Sequence, residues 1–252
     1  MRIAVLADIH GDAVALDGVL RRLEADGTVD LTIVLGDLAA IGADPIGVIR
    51  TVREQPGSIV IRGNTDRYVC SGERPWPGIE DARQNPDLLP HLLEVATSFA
   101  WTRGAVTGAG QFDWLSQLPL EHRMVLPDGT RLLAVHAAPG LDDGPGIDPL
   151  IPDEEVQRLA TEAAADLILV GHTHKPFHRT SQGREVLNPG SVGNPVDPDL
   201  MAGCALIECD ELGHEISLFR VPYDHSAAIA AVRAVHHPAG DFIVRHHGPA
   251  RV

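Results

Sequence analysis

Five apolar runs in this chain each end at a side chain that can bind a metal ion. Each run has the length and the β-branched content of a buried strand, so each of these side chains is predicted to follow a strand. In an open α/β sheet the carboxyl ends of the strands border a common crevice, and side chains at those ends are expected to meet there. The runs and the polar residues behind them are Ile3 to Ala7 with Asp8 and His10, Leu31 to Leu35 with Asp37, Ile59 to Ile61 with Asn64, Leu132 to Val135 with His136, and Leu167 to Val170 with His172 and His174.

Two of the five segments carry a pair of candidate ligands that are two residues apart. The pairs are Asp8 with His10 and His172 with His174. In extended backbone such residues point to the same side of the chain, so we expect each pair to face one site. A lone aspartate after a strand is more often a turn residue or a helix cap. The prediction of a site therefore depends on all five segments together.

The types of side chain in this set favour borderline divalent cations. The set contains four imidazoles, two carboxylates and one carboxamide, without a thiolate. It suits manganese, iron or zinc better than an all-oxygen site for calcium or magnesium, with magnesium and nickel as further options. Seven protein ligands are too many for one catalytic ion that keeps an open position. They are sufficient for two ions that share a bridging carboxylate, so we expect two divalent metal ions per chain.

Length and charge narrow the classes of protein to consider. A chain of 252 residues can bury a large core, and we expect one domain over residues 1–252. The net charge of −15 argues against general nucleic-acid binding, because that role depends on clustered Lys and Arg side chains. A small phosphorylated substrate held by metals is compatible with this charge. The oligomeric state is left open.

The sequence shows neither a secretory signal nor a membrane span. Met1-Arg2-Ile3 enters a strand directly, and no apolar segment approaches the ~20 residues that a spanning helix needs. We therefore expect a cytoplasmic protein without membrane association. Cys70, Cys204 and Cys209 form no C-x-x-C pair, and we expect them to be buried or half-buried thiols in a reducing compartment.

The order of the segments predicts two halves. In the first third, strands alternate with amphipathic helices, so the crossover rule predicts three parallel strands in one sheet. Residues 68–118 are predicted to form an irregular and partly helical insertion near the site, because prolines and glycines interrupt its start. Later strands, including those near Ala205 and Ile216, are predicted to complete a second sheet. Residues from about 236 to 252 are predicted to form a C-terminal tail.

Five short motifs, in order, resemble the signature of the calcineurin-like metallophosphoesterases. The segments Asp8 to Gly11 and Asn188 to Gly193 are similar to the compact bacterial and archaeal branch of that superfamily, whose members are described as phosphodiesterases. The resemblance implies an α/β fold, a sandwich of two mixed β-sheets flanked by helices, with a dinuclear metal site at the carboxyl ends of the strands. The five motifs are Asp8-Ile9-His10, Gly36-Asp37, Gly63-Asn64-Thr65-Asp66, His136 and Gly171-His172-Thr173-His174.

The resemblance also implies a role for each ligand. Asp8, His10, Asp37 and His174 would hold one ion. Asp37, Asn64, His136 and His172 would hold the other, with Asp37 as the bridge and with Asp37, Asn64 and His136 as the catalytic residues.

The implied activity is hydrolysis of a phosphate ester by metal-bound hydroxide, which needs no protein nucleophile. The resemblance favours a phosphodiesterase acting on a small or nucleotide-like substrate. A phosphoprotein phosphatase and a dinucleoside polyphosphate hydrolase use the same core and remain alternatives. A scaffold protein built on this fold is the alternative outside enzymes, and the complete set of seven ligand positions argues against it.

The chain departs from the family next to Asn64. At the position of Thr65, many relatives carry a histidine that protonates the leaving oxygen. A threonine hydroxyl is too weak an acid for that step. We expect substrate contacts from Asn64, Thr65, Arg67 and His178. For Arg67 and for the neighbouring Asp66 a structural role is the favoured interpretation. Asp12, where relatives often have asparagine, is expected to cap the following helix.

Overall fold

The computed structural model describes residues 1–246 of the chain. Most of the apolar runs form strands, and turns or helices separate them. The strands are β1 (Arg2–Leu6), β2 (Leu31–Val34), β3 (Ile59–Val60), β4 (Glu121–Val125), β5 (Arg131–Val135), β6 (Leu167–Leu169), β7 (Phe177–Ser181), β8 (Arg184–Asn188), β9 (Ala202–Asp210) and β10 (Gly213–Val221). The helices are α1 (Ala13–Asp26), α2 (Pro45–Glu54), α3 (Asn64–Ser71), α4 (Ile79–Gln84), α5 (Leu89–Gly108), α6 (Phe112–Ser116), α7 (Asp153–Glu162), α8 (His225–Ala234) and α9 (Gly240–His246), with a 3-10 turn at Pro86–Leu88.

The strands form two mixed five-stranded sheets. The first has the order β10-β9-β1-β2-β3, and the second has the order β4-β5-β6-β8-β7. β1 pairs in parallel with β2, and β2 pairs in parallel with β3, which confirms the three parallel strands predicted for the first third. The α/β sandwich of two mixed sheets flanked by helices is likewise confirmed.

The strands near Ala205 and Ile216 belong to the first sheet, so their predicted place in the second sheet is wrong. After β8 the chain turns back beside the end of β1, where the Val192 amide donates to the Ala7 carbonyl at 3.0 Å. This turn brings β9 to the free edge of β1, with which it pairs antiparallel. The pairing is a long-range contact that local periodicity does not encode.

The side chains of β1 and of Ala7, the residue that follows it, alternate between two apolar cores. Ile3, Val5 and Ala7 belong to the apolar cluster between the two sheets. Ala4 and Leu6 belong to a second cluster that packs against the helices on the other face of the first sheet. All five are almost fully buried, as the period of two for a strand requires. Packing on both faces therefore holds the ligand-bearing end of β1 rigidly.

An aspartate caps each of the first two helices, and the predicted cap at Asp12 is confirmed. The Asp12 carboxylate accepts hydrogen bonds from the Val14 and Ala15 amides at the start of α1. The Asp44 carboxylate accepts a hydrogen bond from the Gly47 amide at the start of α2. Each cap satisfies amides that have no partner inside the helix.

The insertion over residues 68–118 is largely helical and packs into the core. Its main helix, α5, buries Val95, Phe99 and Val106 in the cluster that covers the first sheet. The Tyr68 ring lies edge-on to the Phe99 ring, with a centroid distance of 6.0 Å. This contact holds α5 against α3, the helix that begins at Asn64.

The predicted C-terminal tail begins as a packed segment. Phe242 and Ile243 in α9 are buried, and so is His237 before it. Up to His246 the prediction of a tail is therefore wrong, because these apolar side chains join the helical core. The remainder of the predicted tail, 247–252, lies outside the described residues.

The cysteines agree with the expectation for them. Cys204 and Cys209 are buried and Cys70 is half-buried, each as a free thiol. Within residues 1–246 no helix has both the length and the apolar character needed to cross a membrane.

Candidate metal centre

Five of the seven predicted ligands lie in left-handed backbone, so the extended backbone predicted for the two ligand pairs is wrong. Residues other than glycine rarely adopt this conformation, which costs about 1–3 kcal/mol each and is typical of functional sites. The left-handed residues are Asp8 (φ 54°), His10 (φ 50°), Asp37 (φ 55°), His172 (φ 64°) and His174 (φ 60°). The side chains of the two pairs still meet at one site.

Backbone hydrogen bonds between the loops hold this conformation. The Asp8 amide donates to the Gly36 carbonyl at 3.1 Å, and the His10 amide donates to the Asp37 carbonyl at 2.9 Å. A Cβ atom on Gly36 would lie 2.3 Å from the Gly63 nitrogen, and one on Gly171 would lie 2.9 Å from the Asp8 carboxylate. Only glycine allows these backbones to approach so closely.

One group of ligand atoms lies between the first and the last motif. Asp8, His10 and His174 offer atoms that all lie within 4.8 Å of one another. The Nε2 atom of His174 is 3.5 Å from Asp8 Oδ1 and 3.3 Å from His10 Nε2. His10 Nε2 is also 3.7 Å from Asp37 Oδ2. These distances place one candidate ion between the four side chains.

A second group adjoins it through Asp37. The other oxygen of this carboxylate, Oδ1, is 3.5 Å from His136 Nε2. Asn64 Oδ1 lies 3.0 Å from His136 Nε2 and 3.2 Å from His172 Nδ1. Because its two oxygens face different histidines, Asp37 has the geometry of a bridging ligand. Asp8 Oδ1 is 3.9 Å from His136 Nε2 and is therefore also within reach of the second group.

Three of the four histidines point the same nitrogen toward the cluster. Their Nδ1 atoms donate to backbone carbonyls, which can only accept, so each Nε2 carries a lone pair directed at the ligands. The pairs are His10 Nδ1 with the Ala40 carbonyl at 3.2 Å, His136 Nδ1 with the Leu35 carbonyl at 2.6 Å, and His174 Nδ1 with the Asn194 carbonyl at 2.7 Å.

His172 has the opposite orientation. Its Nε2 donates to the Gly144 carbonyl at 2.8 Å, which leaves the Nδ1 lone pair facing Asn64 Oδ1. The ring of His172 also packs edge-on to the ring of His136, with a centroid distance of 5.2 Å. The carbonyl of Gly144 therefore decides which nitrogen of His172 is offered to a metal.

The donor set fits two divalent cations. The lone pairs of His10 and His174 face each other at 3.3 Å, and those of His136 and Asn64 face each other at 3.0 Å. Two acceptors at such distances repel unless a cation or a proton lies between them. With carboxylates on both sides, these residues could hold two metal ions.

Burial and neighbouring charges shift the pKa values of the side chains in the cluster. Burial and the adjacent Asp8 carboxylate raise the pKa of Asp37 to about 7. Burial, reinforced by His174, lowers the pKa of His10 to about 3 and keeps this ring neutral, as a metal ligand must be. Burial also opposes ionisation of Asp8, but His174, His136 and His10 together outweigh it and lower the pKa of Asp8 to about 2.

Asp66 has the structural role that the sequence favours. Its fully buried carboxylate accepts hydrogen bonds from the Asp37 amide at 2.8 Å, the Leu38 amide at 3.0 Å and the Gly63 amide at 3.0 Å. Asp66 thus joins the loop of Asp37 to the loop of Asn64, and the prediction for it is confirmed.

The segment from Asn188 to Asn194 joins the first motif to the last. The Asn188 side-chain amide donates to the Gly171 carbonyl at 2.7 Å, and the Ser191 hydroxyl donates to the Asp8 carbonyl at 2.7 Å. The Asn194 amide donates to the Ser191 hydroxyl at 2.8 Å. The sequence offered only a resemblance for this segment, although short polar side chains in a Pro- and Gly-containing loop are typical of such backbone contacts.

Sequence reasoning missed the acidic loop, which we define as Asp142, Asp143 and Gly144. Arg67 donates from Nε to Asp142 at 3.1 Å and from Nη2 to Asp143 at 3.0 Å. The Tyr68 hydroxyl also donates to Asp143. Arg67 is thus bound to protein carboxylates, as the structural interpretation expects, and the predicted substrate contact stays a prediction. An Asp-Asp-Gly turn soon after His136 was the available signal.

The remaining predicted substrate contacts differ in position. The Thr65 amide donates to Asp37 Oδ1 at 2.9 Å. His178 lies on β7, where its Nε2 is 2.5 Å from Glu185. The structure therefore brings Thr65 to the ligands but pairs His178 with a carboxylate elsewhere in the second sheet.

The comparison with protein families agrees with this geometry. The calcineurin-like phosphoesterase superfamily domain matches residues 1–212. The chain belongs to this superfamily. The Asp and His groups of this phosphoesterase domain could hold metal ions, which the family typically binds in pairs.

Individual relatives extend over nearly the whole phosphoesterase chain. An uncharacterised protein of Methanocaldococcus jannaschii is 28% identical over 240 residues, which are 88% of each protein. A solved metallophosphoesterase from Sphaerobacter thermophilus has a TM-score of 0.71 and 27% identity, with 98% of each chain covered. A hypothetical protein from Pyrococcus horikoshii shares the fold, with a TM-score of 0.79, 20% identity and 99% coverage of each chain.

Proposed function

We propose that this calcineurin-like phosphoesterase hydrolyses phosphodiesters of a small or nucleotide-like substrate with two divalent metal ions. The observation that carries the proposal is the convergence of unprotonated nitrogens and carboxylate oxygens around Asp37. Manganese, iron and zinc are the proposed metals, because imidazole and carboxylate ligands suit them. Magnesium and nickel are the next candidates.

The side chains around Asp37 would form two sets of metal ligands that share this carboxylate. Asp8, His10, Asp37 and His174 would hold one ion, and Asp37, Asn64, His136 and His172 the other. When bound, such a pair of ions activates water and neutralises charge on the phosphoryl oxygens. The Thr65 amide orients Asp37, and the carbonyls behind the four histidines fix the nitrogen that each presents. A protein nucleophile is not required.

Charge favours a diester over a monoester. The chain carries a net charge of −15, and the partly exposed Asp143 lies beside His172 at the site. A diester carries one negative charge and a monoester carries up to two, so the diester is repelled less. The same charge supports a small phosphorylated molecule, rather than nucleic acid or an anionic membrane, as the partner.

The residue at position 65 limits the leaving group. The Thr65 hydroxyl is too weak an acid to protonate a leaving oxygen. We therefore propose that good leaving groups, which need little protonation, are preferred.

A substrate panel tests the proposal. Protein reconstituted separately with manganese, iron, zinc, magnesium and nickel would be assayed on bis-p-nitrophenyl phosphate, p-nitrophenyl phosphate, a phosphopeptide and a dinucleoside polyphosphate. We expect kcat/KM to be at least tenfold higher for the diester than for the other substrates. The Asp37→Asn variant is the control and should be inactive. Preference for the phosphopeptide or the polyphosphate would replace it with one of those activities. A protein that holds its metals and turns over none of the four would favour a scaffold.

A further inference from the structure

The acidic loop is held on one side by α3 and the residues before it. Asp142 is buried and accepts hydrogen bonds from Arg62 Nε at 2.7 Å and from Arg67 Nε at 3.1 Å. Asp143 accepts from Arg67 Nη2 at 3.0 Å and from the Tyr68 hydroxyl. A buried carboxylate between two guanidinium groups is strongly held, since removal of a partner leaves a buried charge unpaired.

On its other side the acidic loop reaches His172. Asp143 Oδ1 accepts a hydrogen bond from the Gly144 amide at 2.7 Å, and the Gly144 carbonyl accepts one from His172 Nε2 at 2.8 Å. Gly144 has φ of 105°, a conformation that favours glycine. The direction of this carbonyl therefore follows from the position of Asp143.

Tyr68 connects the same loop to Asn64. Its hydroxyl donates to Asp143 and also interacts with the Asn64 side chain, one helical turn earlier in α3. A carboxamide whose amide group is held by Tyr68 directs its oxygen toward His136 and His172, as observed. The loop thus contacts the partners of two ligands that belong to the same group.

We propose that the acidic loop, with Arg67 and Tyr68, is a positioning device for the second ion alone. It sets the nitrogen that His172 presents and the direction of the Asn64 oxygen. The first ion depends on His10 and His174, whose carbonyl partners are Ala40 and Asn194. The inference rests on the proposed function only in assigning Asn64 and His172 to a metal.

Asp143→Ala and Tyr68→Phe test this role. Asp143 is partly exposed, and Tyr68→Phe keeps the ring that packs on Phe99, so both variants are expected to fold. Asp153→Asn is the matched control, because it removes an ion pair with Arg179 on the surface of the second half. Metal-binding titrations with manganese and with zinc would give the affinity of each ion. We expect roughly a 10- to 100-fold weaker second ion, an unchanged first ion, and no change in the control.

Nitrogen-15 NMR of the histidine rings in metal-free protein gives a second readout that does not depend on activity. We expect His172 to carry its proton on Nε2 in the wild type and to populate both tautomers in Asp143→Ala. His10, His136 and His174 are internal controls and should stay protonated on Nδ1.

An unchanged His172 tautomer in Asp143→Ala, or equal weakening of both ions in both variants, would overturn the positioning role. A wild type that shows the expected tautomers but hydrolyses no phosphate ester would instead overturn the proposed function.

Discussion

The Nε2 atom of His10 lies 3.3 Å from the Nε2 atom of His174, while both rings donate from Nδ1 to backbone carbonyls. Two neutral imidazoles in these tautomers direct lone pairs at each other. The contact is unfavourable by itself and becomes favourable around a cation. This relationship makes metal binding measurable as a gain in stability.

Removal of metal should therefore lower the melting temperature. A ligand that binds only the folded state at 100 times its Kd stabilises by about 2.7 kcal/mol, which corresponds to about 5–10 °C for a chain of this size. We expect this rise when manganese or zinc is added to chelator-treated protein, measured by calorimetry. His10→Ala should reduce the rise, whereas His122→Ala on β4 should keep it. Equal shifts in the two variants would contradict the assignment of His10.

Asp37→Asn should lower the occupancy of both ions. Its two carboxylate oxygens face His10 and His136, at 3.7 Å and 3.5 Å, respectively. A carboxamide offers one oxygen and no charge, so it cannot bridge as effectively. Elemental analysis of metal-loaded protein checks this, with the exposed Asp17→Asn as the control. Loss of one ion only would show that Asp37 is not the bridge.

Thr65→His should increase the rate most for poor leaving groups. A histidine beside Asn64 would provide a proton donor, which is worth ~10² to 10⁴ in rate when the leaving oxygen needs protonation. The wild type should show a steep dependence of kcat on leaving-group pKa across aryl and alkyl esters, and the variant a shallow one. Thr65→Ser keeps a hydroxyl and should behave like the wild type. A shallow dependence in the wild type would mean that another group already donates the proton.

A charged network between the sheets should make stability depend on pH. His214 Nδ1 is 2.7 Å from Asp128, and its Nε2 is 3.0 Å from Glu185, which also pairs with His178. Burial opposes the charge on His214, but the hydrogen bonds and charges of Asp128 and Glu185 together outweigh it and raise the pKa. The hydrogen bond from His178 lowers the pKa of Glu185. For Asp128, burial favours the neutral form, but the hydrogen bonds from His214 and Thr130 together outweigh it and lower the pKa.

The direction in which stability changes with pH follows from the sign of each pKa shift. The contribution of His214 to stability is complete below its pKa of 6.5 in the unfolded chain. It is lost as pH rises through the raised pKa of the folded protein. The contributions of Glu185 and Asp128 are complete above 4.5 and 3.8 and are lost as pH falls through their lowered values. Urea unfolding should show His214→Ala to be about 1 kcal/mol less stable than the wild type near pH 6. The difference should shrink at pH 9, and a constant difference would rule out this origin.

The ligand positions were accessible from the sequence because their signal is local and repeated. An apolar run that ends at Asp8, Asp37 or His136 marks the end of a buried strand, and parallel strands bring such ends together. All seven candidate side chains meet in the structure. Helix caps such as Asp12 are equally local, since the carboxylate contacts amides two and three residues away.

Other features depended on the tertiary structure. The placement of β9 beside β1 and the contact of Gly144 with His172 join residues far apart in the chain. The left-handed backbone at His10 and His174 is held by neighbouring loops and has no side-chain pattern of its own. Backbone carbonyls are present at every residue, so a sequence cannot show which of them will face a histidine. The sequence by itself determined which side chains are candidate ligands, and only the packing of distant segments decided their orientation.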